Sequence, residues 1–156
     1  MKLHSLFLVL SLAGCAAAQV PVHFTLDAAK PDPIDVVVRT LATEGLTAGP
    51  LNREAGTLQT VWQDTGFGYG FVDVRGPDGQ MQSVGATIVR RYTIVLVPKQ
   101  AGVEVTVRAD LQKCASGTLD ASGGLGQGCQ RLDDMVPKHQ DELNALGHEL
   151  EAALHN

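Results

Sequence analysis

Gly102-Val103-Glu104-Val105-Thr106-Val107-Arg108-Ala109-Asp110-Leu111-Gln112 is the stretch that decides the fold. Val103, Val105, Val107, Ala109 and Leu111 alternate with Glu104, Thr106, Arg108, Asp110 and Gln112. A period of two puts all the apolar side chains on one face of a strand and all the polar ones on the other. Lys99-Gln100-Ala101-Gly102 turns the chain just before it. The segment preceding that turn, Ala86 to Pro98, reads as the partner strand of a hairpin. Here Ile88, Tyr92, Ile94 and Leu96 lie on one face and Val89, Val95 and Val97 on the other. Apolar residues on both faces make it a central strand.

Working outward, Phe71-Val72-Asp73-Val74 and Met81-Gln82-Ser83-Val84 flank Gly76-Pro77-Asp78-Gly79. This strong turn signal predicts a small hairpin extending the sheet. Just before it, Gly66-Phe67-Gly68-Tyr69-Gly70-Phe71 alternates glycine with aromatics in a chain of only one Trp, two Tyr and four Phe. Phe67, Tyr69 and Phe71 are therefore a candidate binding loop, because aromatics are favoured at binding hot spots. The competing reading is that the three rings cap the core. Gly56 to Gln63 reads as a strand with Leu58, Thr60 and Trp62 on one face, Trp62 in the core or at its edge. Ala48-Gly49-Pro50 reads as a loop.

Two helices bracket these strands. Asp32 is placed to cap the first and Pro33 to occupy its first position. Ile34, Val37, Val38, Leu41 and Ala42 form its apolar face, and Gly45 ends it. The second helix is expected to start at Asp133-Asp134, with Pro137 tolerated in its first turn and Val136, Leu143, Leu146, Leu150, Ala153 and Leu154 as its buried stripe. The order α-β-β-β-α predicts an α+β fold, an antiparallel sheet of three to five strands with two helices packed on one face.

The N-terminus has a different character. Met1-Lys2 supplies a positive charge, Leu3 to Leu12 is mostly apolar, and small residues follow. That is the layout of a signal peptide. The apolar run is about half of the ~20 residues that a membrane-spanning helix needs. Leu12-Ala13-Gly14-Cys15 resembles the lipobox of bacterial lipoproteins. The resemblance implies cleavage before Cys15 and acylation of its sulfur and amine. Ala16 stands where aspartate would signal inner-membrane retention, so it further implies outer-membrane attachment on the periplasmic face. The expected division is residues 1–14 signal peptide, 15–31 lipidated N-terminus and tether, and 32–156 one α+β domain. Within the tether, Val20, Val22, Phe24 and Leu26 alternate with polar residues and Pro21, which allows a short edge strand.

The mature chain would hold 142 residues, enough for one domain with a real core. Its net charge, −5 for the whole chain, becomes −6 without Lys2. Nucleic acid is thereby disfavoured as a partner, since a basic face is expected for that role. With Cys15 taken by lipid, Cys114 and Cys129 remain, and an even pair in an oxidising compartment fits one disulfide. A zinc pair is the alternative, but no histidine lies at ligand spacing.

The element order, with Glu54-Ala55-Gly56-Thr57-Leu58-Gln59-Thr60-Val61-Trp62 after the first helix, resembles small periplasmic lipoprotein domains of the lipoprotein C type, from the outer-membrane barrel-assembly machinery. The resemblance covers about Asp32 to Leu154 and bears on fold more than function. Cys114 and Cys129 stand outside that pattern, which implies a separate lipoprotein family.

Other chemistry-bearing residues point nowhere stronger. His148 and His155 are seven apart, two helical turns, too far to chelate one ion, and with His139 they read as exposed helix histidines. Asp133, Asp134 and Asp141 read as acids near a helix start rather than a cation site. Gly124-Leu125-Gly126-Gln127-Gly128 lacks the Lys-Ser/Thr of a phosphate loop. Arg90-Arg91 places one cation on each strand face. Ser83, Ser116 and Ser122 lack the glycine context of a nucleophile. The expectation is a non-catalytic binding or scaffold lipoprotein, without metal or cofactor, touching the membrane through its lipid and a further envelope protein. The alternative is a carrier of a small apolar ligand between sheet and helices.

Overall fold

A computed structural model describes residues 19–27, 32–120, 123–126, 128–132 and 136–156. Its elements are β1 (Val22–Asp27), α1 (Pro33–Thr43), β2 (Ala48–Asn52), β3 (Thr57–Thr60), β4 (Gln63–Arg75), β5 (Met81–Lys99), β6 (Gly102–Ala115), β7 (Cys129–Arg131) and α2 (Pro137–His155). The β5–β6 hairpin is the spine, paired without interruption from Lys99↔Gly102 to Ala86↔Ala115. β5 is central, with β6 on one side and β3 and β4 following each other along the other. The main order is β1-β6-β5-β3-β2, with β7 added to β6, and every pairing is antiparallel.

The fold is α+β, but the sheet has seven strands rather than three to five. The excess has identifiable sources. Ala48-Gly49-Pro50 belongs to β2 and not to a loop; β2 ends the sheet, where a proline without an N–H is tolerated. Cys129–Arg131 adds a short strand beside Gln112–Cys114. Val22–Asp27, inside the stretch read as tether, pairs along its whole length with β6. The hairpin read from Gly76-Pro77-Asp78-Gly79 is present, with Val72↔Val84 and Val74↔Gln82 facing each other. Its second arm runs straight on into β5 as one strand.

α1 starts as its sequence dictates. Asp32 is the N-cap, its Oδ1 accepting from the Ile34 N–H at 3.0 Å, and Pro33 follows. Arg53 donates to the other Asp32 oxygen and to Asp35. Asp32→Ala is expected to cost about 1 kcal/mol from the lost cap. Urea unfolding of the variant checks this, and an unchanged midpoint would show the cap to be dispensable. α2 begins at Pro137, later than expected, and Asp133 and Asp134 lie outside the described residues.

The two helices are not simply packed on one sheet face as expected. They pack on each other, α2 along β1 and β6 and α1 beside β2. α2 comes close to β1 because position 147 is glycine, where a Cβ would run into the Val22 side chain. The core joins Val37 and Leu41 of α1, Leu143, Leu146, Leu150 and Leu154 of α2, and Phe24, Leu58, Ile88, Tyr92, Ile94, Leu96, Val105, Val107, Ala109 and Leu111 of the sheet. Val89 and Cys114 project from the opposite sheet face and are also buried. The face beside the disulfide therefore has a small apolar patch of its own.

Candidate functional site

Cys15 lies outside the described residues. Cys114 and Cys129 are bonded. Antiparallel pairing of β7 on β6 sets the two directly opposite each other, so the bridge closes on a ladder position. Phe67, Tyr69 and Phe71 sit in strand β4 and not in a loop. Their strand is irregular. Between Asp64↔Val89, Gly68↔Thr87 and Phe71↔Gly85, β4 uses more residues than β5. Gly66 and Gly70, at φ 68° and 63°, supply the left-handed backbone that such bulges need. Bulges re-aim side chains. The Phe67 ring meets the His139 ring edge-on at 6.2 Å, Lys113 Nζ lies 5.5 Å from the Tyr69 ring, and Phe71 is 67% exposed. All three rings are exposed to solvent in part, Phe71 most, and Phe67 also lies against the fully buried His139.

Around the first turns of α2 the structure gathers residues that the sequence kept apart. Arg90 projects from β5 toward the helices, its guanidinium 4.8 Å over the Tyr92 ring and paired with Glu142. The same Glu142 Oε2 is 2.9 Å from His139 Nδ1. His139 is fully buried, contrary to its reading as an exposed helix histidine. Among the described residues, His139 Nε2 and Arg90 Nε have no hydrogen-bond partner. Burial pushes the Glu142 carboxyl up, but the His139 hydrogen bond and the Arg90 charge outweigh it and hold the group below the usual glutamate range. Burial pushes the Tyr92 phenol up to about 12, against some lowering by Arg90.

The arrangement is a cation and an imidazole sharing one carboxylate under an aromatic cover. It fixes α2 on β5. It offers solvent no reactive imidazole atom, since His139 is wholly enclosed. One signal was available in the sequence: His139 stands four residues before Leu143, in line with the buried stripe of α2, and Glu142 follows it by three.

The other sequence candidates are dispersed. Arg91 points to the other sheet face, 4.7 Å over Trp62 and 2.8 Å from Asp110 Oδ2. Trp62 is half-buried just past β3. His148, His155 and Asp141 are exposed on α2. Gly124 to Gly126 belong to a small loop closed by the Leu119↔Leu125 bridge, and Gln127 and Ser122 lie outside the described residues. Ser83 is exposed on β5, and Ser116 bonds the Gly85 carbonyl. Among the described residues no three His, Cys, Asp or Glu side chains are grouped to hold a metal ion.

Fold and site together define an α+β domain whose described residues form two mutually packed helices and a seven-stranded antiparallel sheet, with a Cys114–Cys129 disulfide. No protein-family model matches this chain, and no curated protein matches its sequence.

Proposed function

We propose that the protein is a lipid-anchored protein of the outer membrane, facing the periplasm, with a non-catalytic binding or scaffold role. The observation that carries this reading is Leu12-Ala13-Gly14-Cys15 at the end of a charged and then apolar leader. The disulfide supports it in two ways. A bridge between Cys114 and Cys129 leaves Cys15 as the one remaining cysteine, free for acylation. A bridge also suits an oxidising compartment such as the periplasm. Two or more acyl chains on Cys15 would hold the domain stably where one chain binds only marginally.

A binding role is favoured over ligand carriage by the filled layer between sheet and helices, where the side chains of both helices and four strands form one packed cluster. Two clefts lined by described residues lie outside that layer, one between the C-terminal parts of the two helices at Val36, Thr40, Glu149 and Ala153, and one at the turn end of the β5–β6 hairpin. The partner is read as another envelope protein. Cys15→Ser is expected to abolish labelled-palmitate incorporation and to release the domain from membranes on fractionation. Palmitate on the serine variant would overturn the anchoring.

A further inference from the structure

If Cys15 carries the anchor, the folded domain cannot hang far from the bilayer. Cys15 is four residues from Gln19, so extended chain spans at most about 14 Å between them. Gln19 is already fixed, its side-chain amide donating to the Ala109 carbonyl of β6. Val20 is held more firmly. Its N–H donates to Gln140 Oε1 at 3.1 Å, and Gln140 Nε2 donates back to the Val20 carbonyl at 2.8 Å. Gln140 lies in the first turn of α2, next to His139, and the His139 ring is the one Phe67 touches. The place where the tether enters the domain and the aromatic part of β4 are therefore the same corner of the molecule.

The chemistry of that corner suits a bilayer interface. Val20, Phe67, Tyr69 and Phe71 are exposed apolar or aromatic side chains. Lys113 stands by the Tyr69 ring, and Lys138 is exposed at the start of α2. Aromatic rings settle at headgroup level, and lysines lay their stems along apolar surface while the ammonium reaches phosphate. We infer that the β4 aromatic segment, with Val20 and the start of α2, is the surface that rests on the membrane when Cys15 is acylated. The inference builds on the anchoring proposed above and gives it an orientation: the far end of the β5–β6 hairpin points into the periplasm. The occupant of the aromatic patch is lipid, set there by the shortness of the tether.

The test uses a synthetic anchor. With Cys114 and Cys129 bonded, Cys15 is the one free thiol of the chain produced from Cys15 onward, and a maleimide phospholipid couples to it. The tethered chain on phosphatidylethanolamine–phosphatidylglycerol vesicles is compared with the untethered chain by hydrogen–deuterium exchange. Among the described strands β4 pairs only with β5, so its outer amides exchange readily when free. Tethering is expected to slow exchange across residues 66–71 by about tenfold and leave residues 97–103 unchanged. A second measurement places tryptophan as a probe, Tyr69→Trp or Val97→Trp in a Trp62→Phe background, with brominated lipid as quencher. Tyr69→Trp should be quenched and Val97→Trp should not, since Val97 lies ten residues along β5 from Thr87, the partner of Gly68. Protection at 97–103, or none at 66–71, overturns the orientation. Failure of natural palmitate labelling at Cys15 overturns the anchoring instead, so the two readings fail separately.

Discussion

Replacing Cys114 and Cys129 together by alanine is expected to lower the unfolding free energy by about 3 kcal/mol, the chain-entropy value for a closed loop of 15 residues. For a chain of this size that corresponds to a fall in Tm on the order of 10 °C. Two structural features keep the loss near this value. Cys114 is completely buried on β6, so truncation also leaves a small void. The bridge is also what ties the three-residue strand β7 to the sheet, and a strand of that length has few ladder bonds of its own. Guanidinium unfolding of the alanine pair against the oxidised wild type measures the difference. Equal midpoints would remove the stabilising role assigned to the bridge.

Glu142→Ala carries the second large effect, about 2 kcal/mol at neutral pH. Removing one partner of a buried pair costs about 3–5 kcal/mol, because the other charge is left without compensation. Arg90 is in that position, with 14% of its side chain exposed. Glu142 is 35% exposed, so solvent screening reduces the loss from the fully buried range. Replacing the two partners together, Arg90→Met with Glu142→Leu, is expected to cost less than Glu142→Ala alone, since no unpaired charge remains. A double-variant loss equal to the sum of the singles would show that the pair does not interact.

The same residues set the pH dependence. The Glu142 carboxyl titrates below its ordinary value of 4.5 in the folded chain, so the folded state binds fewer protons than the unfolded one in that range. Its contribution is present above pH 4.5 and is lost as the pH falls through the lower folded value. Glu142→Gln should flatten that acid limb of the stability profile. Tyr92 has the opposite sign. Its phenol is raised from 10.0 to about 12, so its contribution is present below pH 10 and disappears as the pH approaches 12. Tyr92→Phe should leave the acid limb alone and reduce the alkaline one.

Periodicity alone determined the spine of this protein. The alternation from Val103 to Leu111 specifies both a strand and which of its faces is buried, because a one-residue slip would turn every valine to solvent. Asp32 and Pro33 start α1 for local reasons that need no tertiary partner, and Gly76-Pro77-Asp78-Gly79 turns the β4–β5 hairpin in the same way. The disulfide expected between Cys114 and Cys129 is present.

What local chemistry could not decide was left to packing. β2, with Gly49 and Pro50, and the three residues of β7 are strands only because β3 and β6 present open ladder edges to them. Val22–Asp27 joins the sheet for the same reason, its alternation becoming meaningful once β6 lies beside it. Whether Phe67 and Tyr69 would be core or surface depended on two bulges that turn β4, and their effect on side-chain direction emerges only in the paired sheet. His139 is a polar side chain at a stripe position. In the fold its ring is bonded to Glu142, which Arg90 of β5 also pairs, and Phe67 of β4 meets it edge-on. Long-range contacts decided the site because its members come from three separate segments, and no spacing in the sequence relates β4, β5 and α2.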